Sequence, residues 1–253
     1  MLNLQEHIQD AAELMQQAQK IVALTGAGIS TESGIPDFRS PGSIWQQSPP
    51  VSYSDFIQNP EARRRYWESR RNLSAQVATA QPNAAHYALV ELERRNKLQG
   101  VITQNFDGLH QDAGNHAGHV IELHGSSRMA ACTLCGTRSS MSELQQRIDA
   151  GELDPRCSIC SGYMKSATIL FGQRVPETEL NRAKRLIEVC DVLLVVGSSL
   201  KVVPAATLPR MALRREVPLI IINLQPTSLD SVADVVIHEK AGLVLPQIVA
   251  ALA

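Results

Sequence analysis

No run of this 253-residue chain approaches the roughly 18 apolar residues that a membrane span needs. Its longest apolar stretches, VLLVVG from Val192 and VPLIII from Val217, are strand-sized. The first twenty residues, MLNLQEHIQDAAELMQQAQK, lack the basic flank and apolar core of a secretory signal. There is no excess of either charge: 24 basic against 25 acidic residues give a net charge of −1. A general nucleic-acid binder carries a basic excess, so that class is disfavoured. The densest basic run, RRRYWESRR from Arg63 to Arg71, reads as the solvated face of a helix. Internal repeats and low-complexity tracts are missing as well. What remains is the profile of a soluble, cytoplasmic protein that works neither on nucleic acid nor at a membrane.

With 44% hydrophobic residues, the chain can build a sizeable core. Its length suits one large domain, or a domain plus a small module. Short β-branched runs recur at 20–25, 100–103, 119–123, 191–197, 218–223 and 234–237. Their continuous apolar character predicts parallel strands covered on both faces. Helical spacing is found at 4–19, 55–78, 83–97, 107–114, 177–189, 204–215 and 241–252. This alternation predicts an α/β fold, a doubly wound, Rossmann-like parallel sheet. Two segments break the rhythm: a helical insertion at 41–97 and a small module at 126–170 whose core looks too thin to stand alone. The core would then comprise 1–40, 98–125 and 171–253.

The first strand runs into Gly26, Ala27 and Gly28. Glycines there permit a tight turn close to a pyrophosphate, with helix-start N–H groups binding it. The dinucleotide fingerprint is incomplete, however. Thr31 stands where a third glycine belongs, and no acid follows about twenty residues on to hold a ribose. That argues against hydride-transfer dehydrogenases and leaves a nucleotide loop or a plain turn. The loop continues SGIPDFRS, in which Arg39 suits a phosphate and Phe38 a ribose or base; a stapled surface loop with an Asp37–Arg39 pair is the plainer alternative. Gln104, Asn105 and Asp107 lie at the end of the second strand, where open α/β sheets bind ligands. His124 ends the third and is a candidate general base, because imidazole titrates near neutrality.

Four of the five cysteines form two C-x-x-C pairs, Cys132 with Cys135 and Cys157 with Cys160, separated by residues 136–156. This spacing predicts a structural Zn2+ site, four thiolates leaving no open coordination position. Two disulfides are the alternative, disfavoured in a reducing compartment. Cys190, just before an apolar run, reads as a core residue.

These pieces resemble the sirtuins, NAD-dependent protein lysine deacylases, as found in bacteria and archaea in single-domain form. The matching motifs are GAGIS at 26–30, SGIPDFR at 33–39, TQNFDGLH at 103–110, LHG at 123–125, GSSLKVVP at 197–204 and IN at 222–223. They stand in the family's order and cover most of the chain. The resemblance implies chemistry that the spacing does not. The acyl-lysine carbonyl oxygen attacks the nicotinamide ribose, nicotinamide leaves, and the acyl group ends on ADP-ribose. It implies His124, Asn105 and Asp107 as catalytic residues. It places NAD on Gly26, Ala27, Gly28, Ser30, Asp37, Phe38, Arg39, Gln104, Asn105, Phe106 and Asp107, with Gly197, Ser198, Ser199, Asn223, Leu224, Gln225 and Ala241 on the adenosine side. An acylated-lysine protein or peptide would lie between 169–173 and 200–203 by β-augmentation, touching Phe171, Gly172 and Val202. It also implies the zinc module. ADP-ribosyl transfer, NAD hydrolysis and NAD sensing without turnover are the competing functions.

The chain departs from the family at Phe106, where Ile or Val is usual, and at Ser166 and Gln173, where proline and an acid are usual. Trp67 and Arg70 fall nearest a Tyr-x-x-Arg pair that binds the carboxylate of succinyl- or malonyl-lysine in some relatives. With tryptophan in place of tyrosine, and Tyr66 one residue out of register, uncharged acyl groups are the expected substrates.

Overall fold

In the computed structural model, residues 3–37 and 49–252 are described. The chain opens with helix α1 (Leu4–Gln17), started by a capping box in which Asn3 and Glu6 each hold the other's backbone N–H. Its apolar stripe, Ile8, Ala11, Ala12 and Met15, is buried. Six strands form one parallel sheet: β1 (Ile21–Thr25), β2 (Leu98–Thr103), β3 (Val120–Glu122), β7 (Val192–Val196), β8 (Leu219–Ile222) and β9 (Val235–Ile237). Their order is β3-β2-β1-β7-β8-β9. All six answer to runs predicted from the sequence, and the doubly wound sheet is present.

The sheet works because alternate side chains serve two cores. Ile21 and Ala23 of β1 face one side with Val101, Leu194 and Ile220. Val22 and Leu24 face the other with Ile102, Leu193 and Ile221. The first side is covered by α1, α4 (Ala84–Arg94) and α9 (Ala241–Ala250), the second by α7 (Glu177–Val189) and α8 (Leu208–Leu213). Helix α4, expected within the insertion at 41–97, thus buries Ala85, Leu89 and Leu92 against the main sheet.

The predicted helix over 55–78 is two helices, α2 (Tyr53–Gln58) and α3 (Pro60–Thr79). Asn59 sits between them in an extended conformation and its side chain accepts from the amides of Glu61 and Ala62. Pro60, which has no N–H to lose, fills the first position of α3. The module at 126–170 contains a three-stranded antiparallel sheet, in the order β5-β4-β6, of β4 (Gly125–Cys132), β5 (Arg138–Ser140) and β6 (Met164–Thr168). It also holds α6 (Met141–Asp149). Its core is completed from outside: Phe56, Tyr66 and Trp67 of α2 and α3 join Ala130, Met141, Leu144, Ile148 and Met164 in one cluster. The module and the two helices therefore form a single small layer.

The basic run is not uniformly solvated. Arg64 and Arg71 are exposed, but Arg63 and Arg70 are buried. Arg63 makes a fork onto Asp154, at 2.9 Å from Nε to Oδ1 and 3.0 Å from Nη2 to Oδ2. Its Nη1 donates to the carbonyls of Phe56 and Ile57, and its guanidinium lies 3.6 Å from the Tyr163 ring centroid. One side chain ties both helices to the module. Asp154 is part-exposed and keeps Arg156 as a partner, but losing Arg63 leaves the Phe56 and Ile57 carbonyls without their donor. Arg63→Met is expected to cost the small layer about 1–3 kcal/mol. Hydrogen exchange should accelerate across 141–149 while remaining slow across β7.

Candidate functional site

The strand order reverses between β1 and β7, which run parallel, the switch point at which open α/β sheets leave a crevice. Three glycines shape it. The Gly26 amide donates to Val196 O and the Gly28 amide to Gly197 O. A Cβ on Gly28 would lie 2.7 Å from the Gly197 Cα, and one on Gly197 would lie 2.2 Å from the Ile29 nitrogen. Gly197 also has φ +63, which favours glycine. These two glycine amides are spent inside the protein. The glycines let two loops touch, and their own N–H groups are not free for a phosphate. Beyond them the chain forms a 3-10 turn over Ala27–Ser33, ending at Gly34 with φ 84.

The crevice opens into a cavity of about 1100 Å³, above the ~300–1,000 Å³ of ordinary ligand pockets. Gly26, Ala27, Gly28 and Asp37 line it from the first loop, and Gln104, Asn105, Phe106 and His124 from the ends of β2 and β3. Gly197, Ser198, Ser199 and Val202 line it after β7, and Asn223, Leu224, Gln225 and Ala241 after β8 and at the start of α9. Phe171 and Gly172 stand at its rim, both exposed. Phe38 and Arg39 lie outside the described residues. The volume fits a dinucleotide together with a substrate side chain.

Ser30 and Asp107 lie behind the wall, among residues that do not line the cavity. Ser30 Oγ donates to Asp107 Oδ2 at 2.8 Å, and the Leu109 amide donates to Oδ1 at 3.0 Å. Asn105 Nδ2 donates to Gly26 O and to Ser30 Oγ, both at 3.1 Å. Burial raises the Asp107 carboxyl above its ordinary range, against those hydrogen bonds and the Arg128 charge. Asp107 therefore reaches the cavity only through Ser30 and Asn105. Gln104 ties three strand ends together, donating from Nε2 to Thr25 O and Ser198 Oγ.

His124 has its ring fixed by a 2.9 Å contact from Nδ1 to the Gln104 carbonyl. A carbonyl only accepts, so Nδ1 carries the proton and Nε2 of the neutral ring is bare. Burial lowers the His124 pKa, opposed by that same hydrogen bond. The neutral ring is thus favoured.

Helix α3 supplies a further wall, of which the sequence pattern points only to Arg70. Tyr66, Ser69, Arg70 and Leu73 line the cavity at helical spacing. Trp67 does not: it is buried in the small layer, its ring 5.0 Å from that of Tyr66. The tyrosine expected to point elsewhere is therefore the residue beside Arg70. Its hydroxyl already accepts from the Ser166 amide. Arg70 reaches Thr168 Oγ1 at 3.5 Å, with its charge 5.7 Å from the Phe106 ring centroid. The signal was the i, i+3, i+4, i+7 pattern of the basic run, hidden by its charge.

Cys132, Cys135, Cys157 and Cys160 bring their sulfurs within 4.8 Å of one another. The contacts are 3.5 Å between Cys132 and Cys160 and 3.7 Å between Cys135 and Cys157. Four thiolates about 2.3 Å from a shared tetrahedral zinc would lie about 3.8 Å apart. The donor set and spacing fit zinc, and no disulfide links these cysteines. No helix among the described residues is long and apolar enough to cross a membrane.

A family model described as "Sir2 family" matches residues 26–204. The NAD-dependent protein deacetylase of Thermodesulfovibrio yellowstonii is 44% identical, across 98% of this chain and 96% of that protein. NAD-dependent protein deacetylase 2 of Streptomyces coelicolor is 46% identical, across 89% and 95%. Among solved structures, a Sir2 protein with a deacetylated p53 peptide and 3′-O-acetyl ADP ribose superposes with a TM-score of 0.89 at 30% identity, over 97% of this chain and 99% of that one.

Two measurements follow from this geometry. Cys132→Ala should lower the metal content from about one zinc per chain and melt the small layer early, since metal binding in such modules is folding free energy. His86 and His110 are buried and their pKa values are lowered to about 4 and about 3 by desolvation. The unfolded chain takes up those protons first, so their contribution is complete above the ordinary 6.5 and is lost as pH falls toward 4. The melting temperature should drop across that window. Replacing both histidines with Gln should flatten the slope.

Proposed function

The chain belongs to the Sir2 family, and from that premise we propose that it is an NAD-dependent protein lysine deacylase, moving an acyl group from lysine to ADP-ribose with release of nicotinamide. The observation that carries the reading is His124. Its bare Nε2 belongs to a ring held by the Gln104 carbonyl, in the wall of a cavity shared by the glycine loop and the segment carrying Phe171. When bound, NAD supplies the ribose carbon that loses nicotinamide and the hydroxyl that receives the acyl group.

The protein's part is orientation and proton transfer. His124 takes a proton at Nε2 as general base. Asn105, anchored to Gly26 and Ser30, presents a fixed polar edge at the bond-breaking end. Asp107 acts as a positioning residue through Ser30. Gly26, Ala27, Gly28, Asp37 and Gln104 hold the phosphate and ribose region, with Ser30 behind them as a support and Phe106 at the nicotinamide end. Phe38 and Arg39 join them in this reading. Gly197, Ser198, Ser199, Asn223, Leu224, Gln225 and Ala241 hold the adenosine side. The acylated protein or peptide lies along Phe171, Gly172 and Val202, with its acyl end toward Phe106, Arg70 and Thr168. Cys132, Cys135, Cys157 and Cys160 hold a structural zinc. This work needs neither nucleic acid nor membrane, in keeping with the balanced charge. Free thiolate ligands suit the reducing cytoplasm.

Incubation with NAD and an acetyl-lysine peptide is expected to yield O-acetyl-ADP-ribose, identified by mass spectrometry. ADP-ribosylated protein, or free ADP-ribose alone, would move the assignment to ADP-ribosyl transfer or NAD hydrolysis. His124→Ala should lower kcat by about 10²–10⁴-fold while NAD binding stays measurable by titration. Arg70→Met should slow a succinyl-lysine peptide more than an acetyl one, because only the former offers a carboxylate to the guanidinium.

A further inference from the structure

Two buried histidines have no part in that chemistry. His86 is fully buried near the start of α4, and His110 is 1% exposed on helix α5 (Leu109–Ala113). Their rings are tilted by 55° with centroids 5.0 Å apart. The hydrogen-bond partners assign the proton of each ring to one nitrogen. His86 Nδ1 accepts from the Asn83 amide at 3.3 Å, so it is bare and the proton is on Nε2. The Thr25 hydroxyl donates to Thr103 Oγ1 at 2.8 Å. The Thr25 oxygen is then free to accept from His110 Nε2, 2.9 Å away. This puts the His110 proton on Nε2 and leaves Nδ1 bare.

The two remaining ring atoms, His86 Nε2 and His110 Nδ1, are both buried without a partner. One is a donor and the other an acceptor, on adjacent rings. A hydrogen bond between them would satisfy both, and donors would then run in one direction: Asn83 amide, His86, His110, Thr25, Thr103. The Thr103 oxygen also accepts the Asn105 amide at 3.0 Å. Thr25 and Thr103 are register partners at the ends of β1 and β2.

We propose that His110, backed by His86, is a positioning residue for Asn105, acting through the hydroxyls of Thr25 and Thr103. The relay holds the Asn105 backbone, and the Asn105 side chain holds the glycine loop through Gly26 O and Ser30 Oγ. Asn83 closes the circuit, its Nδ2 donating to Ile29 O and Ser33 Oγ of the same loop. Both ends of the relay grip the 3-10 turn over Ala27–Ser33. Removing the His110 donor would take away the bond that orients the buried Thr25 hydroxyl toward Thr103 and let the 104–106 turn relax. The inference rests on the proposed deacylase function for its kinetic meaning, but not for its structure.

The experiment has two arms on the full-length protein. In the first, His110→Leu removes the donor and His110→Gln returns an N–H near the position of Nε2. The Leu variant should lose kcat at least about tenfold through misplacement, with KM for NAD and peptide held within about threefold. The Gln variant should recover most of the loss. A folded Leu variant with wild-type kcat, or Leu and Gln variants impaired alike, would overturn the proposal. The second arm needs no turnover and stands even if the Leu variant fails to fold. Nitrogen-15 NMR of histidine-labelled wild type should show His86 and His110 both neutral and protonated on Nε2. A His110 proton on Nδ1 breaks the relay and the proposal with it. A wild type with the expected tautomers but no deacylation would count against the proposed function alone.

Discussion

The contact between Gly28 and Gly197 is the constraint on which the site depends. Two loops from neighbouring parallel strands meet backbone to backbone, and neither position has room for a Cβ. That approach closes the floor of the crevice at the sheet's switch point. It also sets the start of the 3-10 turn, from which Asn105, Ser30 and Asp107 take their positions. A side chain at either glycine would force the β1 and β7 loops apart and open the floor. The loop carries the beginning of a dinucleotide fingerprint but departs from it after two glycines. In this protein the glycines serve loop-on-loop packing first.

The polar groups behind that floor form a connected layer. Asp107 is bonded to Ser30 and Leu109, and Asn105 to Gly26 and Ser30, while Gln104 spans to Ser198. Burial raises the Asp107 pKa and lowers that of His124, each change disfavouring the charged form. A ring that stays neutral can accept a proton at Nε2. Rigidity and the neutral state of His124 thus share a physical origin: desolvation, compensated by hydrogen bonds aimed at particular atoms.

Much of this was legible in the chain. Continuous apolar runs reveal buried parallel strands because both faces of the sheet are covered, and all six were found. Paired C-x-x-C spacing reveals the four-sulfur cluster because the ligand geometry is local. Properties set by distant neighbours were not legible. The module's core looks thin in the sequence because Phe56, Tyr66 and Trp67, which complete it, lie about sixty to seventy residues before the module begins. The basic run looks solvated because charge masks the amphipathic face that buries Arg63 and Arg70. Asn105 and Asp107 share a motif, yet strand-end geometry sends Asn105 to the cavity and Asp107 behind it. The break at Asn59 and Pro60 is a local signal, a capping residue followed by a proline at the first helical position.

The metal cluster and the base are joined by one strand. β4 begins at Gly125, the residue after His124, and ends at Cys132, a sulfur of the cluster. Its partner β6 pairs Met164 with Cys132 and Thr168 with Gly125. Thr168 lies in the cavity wall beside Arg70, and the Ser166 amide donates to the Tyr66 hydroxyl on α3. Four thiolates leave the ion no open position for chemistry. Yet the ribbon it would pin at one end adjoins His124 and carries the cavity-lining Thr168 at the other. In the proposed reaction a structural ion at this place would act by fixing the Cys132 end of β4 against β6. That explains how a small layer without a self-sufficient core can present a fixed wall to the cavity.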